Sequence, residues 1–283
     1  MEGGDIHCWD QLIPDALALI FNNLSLEEKL TVIPRICKSW RKAVMGPLCW
    51  QEIDIEEWCY GRQPELLDQM LQMLIGISGS PRKLCVVGLS NDAIFSLIAD
   101  HAGSLQTLQI PGSKISDSIV EEVAGRMSAI TFLDLSYCEN IGARALKAFG
   151  SNCRLLSSLR RNMHSSTWIV NNDEAHAIAT TMPELKHLEI GNMDLTTEGV
   201  LDILSGCQKL GYLDVRGCWR ERLDGKFLNE KYSGLKVRRT FDDVPEDIDW
   251  DSFNFKEYWD DYQEELEELM AECLMELGAD DGA

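Results

Sequence analysis

The feature that most constrains the fold is a repeated pattern: an apolar residue, two of any kind, an apolar residue, one of any kind, and an apolar residue. Most copies begin 21 to 29 residues after the previous one. The clear copies are Leu84-Val87-Leu89, Leu105-Leu108-Ile110, Ile130-Leu133-Leu135, Leu185-Leu188-Ile190 and Leu210-Leu213-Val215, and the weaker ones are Trp50-Ile53-Ile55, Leu156-Leu159-Arg161 and Tyr232-Leu235-Val237. Repetition at this period indicates a stacked array of small units.

The segments between copies have helical patterns. We predict helices at 91–103, 116–127, 141–153, 173–182 and 196–207, several of which begin with a side chain that can cap a helix: Asn91, Ser116, Asn172 and Thr196. A strand and a helix in each ~25 residues cannot bury their own apolar stripe, so neighbours must stack. The chain resembles an α/β leucine-rich-repeat solenoid. Cys138 and Cys218 resemble the cysteine of one repeat subtype, which turns inward toward loop backbone.

Residues 9–42 follow a different pattern of short helices. Six consecutive apolar residues run from Ala16 to Phe21, and Ser25-Leu26-Glu27-Glu28 is a capping box that opens a second helix. We expect Pro34 to end that helix and a third to run from Ile36 to Lys42. A helix that is apolar on every side must be buried on every side, and three short helices supply too little cover. The pattern therefore predicts a partner protein.

This segment resembles an F-box, the motif that docks a protein onto the adaptor of a cullin-type (SCF) ubiquitin ligase. The Ile-Cys-Lys-x-Trp-Arg end is its most specific part, whereas the proline of the usual Leu-Pro pair comes one residue late. The resemblance implies these adaptor-binding residues: Leu12, Pro14, Leu17, Ile20, Phe21, Leu24, Leu30, Ile36, Cys37 and Trp40. Of these we expect Leu17, Ile20, Leu24, Ile36 and Trp40 to become buried only in the complex.

The whole chain resembles plant F-box/leucine-rich-repeat proteins, the substrate-recognition subunits of SCF ligases. We expect an F-box at 9–48, the repeats at 49–240 and an acidic tail at 241–283. Strand side chains alternate, so the residues beside the buried leucines face a second surface. On that surface we predict these target-binding residues: Gln109, Asp134, Tyr137, Arg160, His187, Glu189, Tyr212, Asp214 and Arg216. Their mixed chemistry suits a protein or peptide better than a phosphate.

Charge separates the body of the chain from its tail. The net charge is −21, and residues 241–283 hold 17 acids and one base. Such acidity disfavours binding to nucleic acid or anionic lipid. Apolar residues recur at helical spacing from Phe255 to Leu277, which predicts an amphipathic acidic helix that either caps the solenoid or binds a partner. The alternative function is a non-catalytic acidic repeat protein that binds basic partners.

No motif predicts catalysis by this chain. Asp173-Glu174-Ala175-His176 spells a helicase signature, but the phosphate-binding loop that it requires does not occur in the sequence. The five histidines are dispersed and the ten cysteines stand singly, so we expect no metal, no cofactor and reduced thiols. Arg161 occupies a core position, which indicates a local bend or a degenerate repeat. The first residues do not resemble a signal peptide, and we expect a nuclear or cytoplasmic protein whose partners are the SCF adaptor, cullin and a target protein.

Overall fold

A computed structural model describes residues 12–164, 172–218 and 225–239. Backbone contacts divide the chain into two compact units, Met1–Thr240 and Phe241–Ala283, and all described residues belong to the first. The predicted acidic tail helix therefore lies outside the described residues. The domain boundaries at 48 and 240 stay predictions.

The N-terminal part consists of short helices. They are α1 (Pro14–Phe21), a π-helical turn (Glu28–Val32), α2 (Ile33–Ile36), α3 (Lys38–Val44) and a 3₁₀ turn (Pro47–Trp50). The capping box is confirmed, because Glu28 N donates to Ser25 Oγ at 3.2 Å and Ser25 N donates to Glu28 Oε2 at 2.9 Å.

Two of the predicted boundaries in this part are wrong. Pro34 does not end the second helix but lies in the first turn of α2, directly after the π-helical turn. The wider π turn releases the α-helical pairing that a proline ring would obstruct. The third helix begins at Lys38 rather than Ile36, because Cys37 is extended and its Sγ accepts a hydrogen bond from Trp40 N at 3.5 Å.

The remaining residues form a ladder of short parallel strands. The strands are β1 (Glu52–Asp54), β2 (Lys83–Cys85), β3 (Thr107–Gln109), β4 (Phe132–Asp134), β5 (Ser158–Arg160), β6 (His187–Glu189), β7 (Tyr212–Asp214) and β8 (Lys236–Arg238). They form one eight-stranded sheet in sequence order. From β2 to β7 the central residues, such as Leu108 and Leu133, are fully buried and pair across neighbouring strands. The predicted α/β leucine-rich-repeat solenoid is confirmed.

Two predicted copies of the repeat are out of register. Leu84 pairs with Leu108, so it takes the middle apolar position, and the buried Pro81 takes the first. Val237 pairs with Leu213 and is also a middle residue rather than a last one. At both places, neighbouring apolar residues have by chance the same spacing as the three apolar positions of the repeat. The corrected copies begin three residues earlier than Leu84-Val87-Leu89 and two residues later than Tyr232-Leu235-Val237.

Helices join the strands on one side of the sheet. They are α4 (Glu56–Cys59), α5 (Pro64–Ser78), α6 (Asp92–Asp100), α7 (Asp117–Val123), α8 (Ala143–Asn152), α9 (Asn172–Thr181), α10 (Thr197–Gly206) and α11 (Gly225–Lys231). The predicted caps at Asn91, Ser116 and Thr196 are confirmed by bonds from the first turn to their side chains. None of the helices in the described ranges has the length and apolar character that a membrane span requires.

Asn172 joins the start of α9 to the next repeat, and its predicted capping role stays a prediction. It is the first residue of α9, and its side chain accepts from Thr196 N at 3.2 Å and donates to Thr196 Oγ1 at 2.9 Å. The same arrangement joins other repeats, because Asp92 accepts from Ser116 N at 2.8 Å and Asp117 from Gly142 N at 2.8 Å. A polar side chain at one helix start therefore fixes the start of the next helix, which holds the stack in register.

Candidate functional site

The first candidate site is an exposed apolar surface on the N-terminal helices. Its large side chains, here called the N-terminal apolar surface, are Leu12, Ile13, Leu19, Ile20, Val32, Ile36, Met45 and Leu48. Leu19 is 70% exposed and Ile36 is 52% exposed. So many exposed large apolar side chains within one short segment of a folded chain indicate an interaction site. The sequence analysis named Leu12, Ile20 and Ile36 for this surface, and Pro14 is exposed beside them.

Leu17 and Phe21 have a different role from the one predicted. Both are buried within the chain itself, at 0% and 1% exposure, so the expectation that Leu17 becomes buried only in a complex is wrong. The cover comes from α3 and from the 3₁₀ turn, whose Trp50 is also buried and whose Cys49 Sγ lies 3.8 Å from Ala18 O. Helix α1 therefore has two apolar faces. One is buried within the chain, and the other is exposed.

Trp40, Leu24 and Leu30 are half-buried and pack against the core. The ring of Trp40 contacts that of Phe21 at 5.1 Å between centroids, and Cys37 caps α3. These residues therefore pack between the core and the apolar surface and remain partly exposed. Alternation of apolar and polar residues cannot separate such support from direct contact, since both require large apolar side chains.

A basic border lies beside the N-terminal apolar surface. Arg35, Lys38, Arg41 and Lys42 are exposed, and residues 29–50 include no acid. In a chain with net charge −21 this local excess of cations stands out, and it would attract an acidic partner at long range. The run of bases at residues 35–42 is a sequence signal for this border, but the border was not among the predicted sites.

The second candidate site is the side of the sheet opposite the helices, here called the open face. The residue before each central residue is at least partly exposed there, and in several strands the residue after it is too, as at Thr107 and Gln109 around Leu108. The third strand positions place Gln109, Asp134, Arg160, Glu189 and Asp214 on successive strands β3 to β7. Adjacent strands lie about 4.8 Å apart, so these predicted target-binding residues form a continuous row.

Arg160 and Glu189 are at the centre of the open face. Arg160 Nε donates to Glu189 Oε1 at 3.1 Å, and the guanidinium carbon lies 5.3 Å from the ring centroid of Phe132. His187 Nε2 is 2.7 Å from the same Glu189 oxygen, and its ring stacks on Tyr212 at 4.4 Å and 6°. Arg160, His187, Glu189 and Tyr212 therefore form one connected group that can present aromatic, cationic and anionic edges together.

Burial and two nearby cations act on the Glu189 carboxyl in opposite directions. Partial burial alone would raise its pKa, but the hydrogen bond from His187 and the charge of Arg160 together lower the pKa below the ordinary 4.5. Glu189 is accordingly held as a carboxylate that two donors orient. A ligand that displaces His187 or Arg160 from Glu189 must itself donate a hydrogen bond to that carboxylate.

Asp134 and Asp214 mainly bind backbone groups of the loops that follow their strands. Both are buried, and each accepts the backbone N–H of the residue two positions later, Ser136 at 2.9 Å and Arg216 at 3.0 Å. Such turns hold the chain where it leaves a strand. Arg216 Nη2 also lies 2.7 Å from Asp214 Oδ2, so the arginine sits over its own loop.

Tyr137 lies in the loop after β4, at the edge of the open face. It is 40% exposed, has φ of 61° and stacks on His164 at 4.5 Å. The corresponding loop positions in other repeats are Gly88, Gly112, Asn192 and Gly217, all with positive φ. Large side chains rarely adopt that conformation, and such outliers occur at functional sites. Phe132 and Lys236 share the open face, and the sequence analysis missed both.

Arg161 is a core residue because it has a buried partner. Its Nε donates to Glu174 Oε2 at 3.0 Å and its Nη2 to Ile141 O at 2.6 Å, with the two side chains at 1% and 6% exposure. Glu174 is the second residue of the helicase-like tetrapeptide. Its carboxylate is therefore part of a buried ion pair in the core. Burial raises the pKa of the Glu174 carboxyl even though the Arg161 charge opposes the change.

The cysteines of the repeats are small core residues. Cys138 Sγ lies 3.3 Å from Ile110 O and Cys218 Sγ lies 3.3 Å from Ile190 O, which confirms the inward turn toward loop backbone. Burial raises the pKa of Cys153 and of Cys207 to about 12. Across the described ranges, no three His, Cys, Asp or Glu residues are grouped so that they could hold a metal ion.

Comparison with known proteins agrees with this architecture. The F-box domain model matches residues 9–52. The F-box protein FBW2 of Arabidopsis thaliana is 55% identical over 241 residues, which cover 83% of this chain and 76% of that protein. The putative F-box/LRR-repeat protein 22 of the same plant is 28% identical over 92% of this chain and 85% of its own.

One solved structure has the same fold. It is a chain from the crystal structure of the Rad7 and Elc1 complex in yeast, with a TM-score of 0.50 and 18% identity over 60% of this chain and 43% of that chain. This likeness concerns the fold of helices and parallel strands alone. The relatives, the domain match and the strand ladder together show that the chain belongs to the plant F-box proteins with leucine-rich repeats.

Proposed function

We propose that this chain is the substrate-recognition subunit of a cullin-type (SCF) ubiquitin ligase. In this role the N-terminal apolar surface binds the ligase adaptor, which connects the chain to cullin. The open face binds a target protein, and the target is marked for degradation. The proposal rests on the F-box match at residues 9–52 together with the apolar side chains exposed in that segment.

The exposed surface fits an adaptor better than a second copy of the chain. Its basic border of Arg35, Lys38, Arg41 and Lys42 would repel the same border on a second copy, whereas it favours an acidic partner. Its apolar residues supply the buried area that a stable complex requires. Charge would therefore set the association rate and apolar burial would set the lifetime.

The mechanism is proximity rather than bond chemistry by this chain. Holding a target beside the ubiquitin-charged enzyme raises the effective concentration of the target's lysines. The group around Arg160 and Glu189 offers a protein ligand both charges and two stacked rings, from His187 and Tyr212. Action in the nucleus or the cytoplasm stays a prediction.

Co-purification from plant cells tests the proposal. The tagged full chain should bring down the adaptor and cullin, and Ile36→Glu should lose both, because a charge would be buried in the interface. Leu155→Glu is a matched control, since Leu155 is 62% exposed but belongs to a distant repeat. Loss of adaptor with both variants, or with neither, would argue against binding through the F-box surface.

A further inference from the structure

Helix α5 carries a second apolar stripe besides the one that it buries. Its buried residues are Leu67, Leu71, Leu74, Ile75 and Ser78. Leu66, Met70, Met73 and Ile77 form the second stripe, at the three- and four-residue spacing of one helix face. Leu66 is 44% exposed and Met73 is 42% exposed, while Met70 and Ile77 are half-buried.

The other repeat helices differ from α5 in this respect. No large apolar side chain is exposed on helices α6 to α10, which all lie in the described ranges. Their outer faces carry residues such as Arg144, Lys147 and Glu198 instead. An exposed apolar stripe on one helix of a regular stack is therefore a specific feature of α5 rather than a property of the repeat.

The second stripe faces away from the rest of the stack. Asp68, Gln72 and Gly76 of α5 line the groove between α5 and α6. Helix geometry places Leu66 and Met73 on the other side of α5. Helix α5 also packs against the 3₁₀ turn Pro47–Trp50, whose Leu48 belongs to the N-terminal apolar surface and is 46% exposed.

We propose that this stripe, Leu66, Met70, Met73 and Ile77, extends the docking surface for the ligase adaptor from the F-box onto the first repeat helix. The inference rests on the proposed function. The adaptor is favoured over the target because α5 packs against the turn that carries Leu48 of the N-terminal apolar surface, and because α5 lies on the helix side of the sheet, away from the open face. Methionines suit such an edge, since they adapt to an irregular partner.

A shared interface of this kind has a mechanical consequence. An adaptor that contacts both the F-box helices and α5 fixes the repeats relative to the ligase. The target held on the open face then stays at a set distance from the ubiquitin-charged enzyme, which is what a proximity mechanism requires.

The affinity of the purified full chain for purified SCF adaptor tests the inference, by isothermal titration calorimetry. We expect Leu66→Gln combined with Met73→Gln to weaken binding about 10-fold, because two anchors are lost from the edge of the interface. Gln72→Ala on the opposite side of α5 and Leu155→Gln in a distant repeat should both bind within about twofold of the unchanged chain. Circular dichroism melting checks that each variant folds.

Crosslinking gives a second measurement that needs no destabilising substitution. A photoreactive amino acid at position 73 should crosslink to the adaptor, and one at position 72 should not. Adaptor affinity unchanged in the double variant, together with no crosslink from position 73, would overturn the inference. If Ile36→Glu still abolished binding, the proposed function would stand without it. If the unchanged chain did not bind adaptor, both would fail.

Discussion

Arg161 and Glu174 form an ion pair in the core of the repeat stack, with Arg161 Nε 3.0 Å from Glu174 Oε2. The arginine stands where other repeats have residues such as Leu135 or Ile190, and Glu174 reaches it from the start of α9. Two further arginine bonds end on Leu135 O at 3.3 Å and Ile141 O at 2.6 Å. A buried charge is thereby satisfied on all sides.

Removing one member of this pair should be far worse than removing both. Glu174→Leu leaves the Arg161 guanidinium buried without its counter-ion, and we expect a loss of ~3–5 kcal/mol in the free energy of unfolding. Arg161→Leu combined with Glu174→Leu should lose much less, since apolar residues of similar size often replace buried pairs. Urea unfolding of the single and double variants measures the coupling. Additive losses would show that the two side chains do not interact.

The stabilising effect of Glu189 should depend on pH. Its pKa is lower in the folded chain than the ordinary 4.5, so its contribution is complete above 4.5 and is lost as the pH falls through the lower folded value. Glu189→Gln should therefore be less stable than the unchanged chain at neutral pH, by less than about 1 kcal/mol. The difference should shrink in acid. Urea midpoints measured across the acid range check this, and a constant difference would contradict it.

A large part of the fold follows from the sequence because it depends on local spacing. The three-residue apolar pattern identifies the buried middle residues of six repeats, and the capping side chains at Asn91, Ser116 and Thr196 mark helix starts. The pattern fails at Pro81 and Gly234, where the first residue of the repeat is a proline or a glycine rather than a large apolar residue. Spacing alone cannot detect a position whose role is kept by a different residue type.

Local sequence patterns do not identify contacts between residues that lie on different elements. Nothing local connects Arg161 to Glu174, which lies on a different element, so the sequence indicated only an irregular repeat. Leu17 looked like an interface residue because the cover from the 3₁₀ turn depends on how the chain folds back. The apolar run from Ala16 to Phe21 indicated that two faces need cover, but not which face the chain itself covers.

Gly112 should be intolerant of a side chain for a purely conformational reason. Its φ is +65° and no atom lies within 4 Å of an added Cβ, so Gly112→Ala should cost ~1–2 kcal/mol through backbone strain alone. Gly103 is equally open but has no positive φ, and Gly103→Ala should be neutral or slightly stabilising. Thermal melting compares the two. Equal melting temperatures would show that the loop after β3 does not require the left-handed conformation.

Core and open-face residues of one strand should respond differently to truncation. Leu108 is fully buried, and Leu108→Ala should destabilise the chain by ~2–5 kcal/mol. The adjacent Gln109 is partly exposed, and Gln109→Ala should change stability by no more than ~0.5 kcal/mol. Chemical denaturation distinguishes the two. A similar loss for both variants would contradict the assignment of the open face.

Binding of the SCF adaptor by the F-box helices, through their exposed apolar residues, underlies both proposals. The most direct measurement is the affinity of the purified full chain for purified adaptor, compared with the Ile36→Glu variant and the Leu155→Glu control. We predict saturable binding by the unchanged chain and the control, and a loss of at least about 30-fold for Ile36→Glu. Failure of the unchanged chain to bind, or equal affinity for all three, would contradict it.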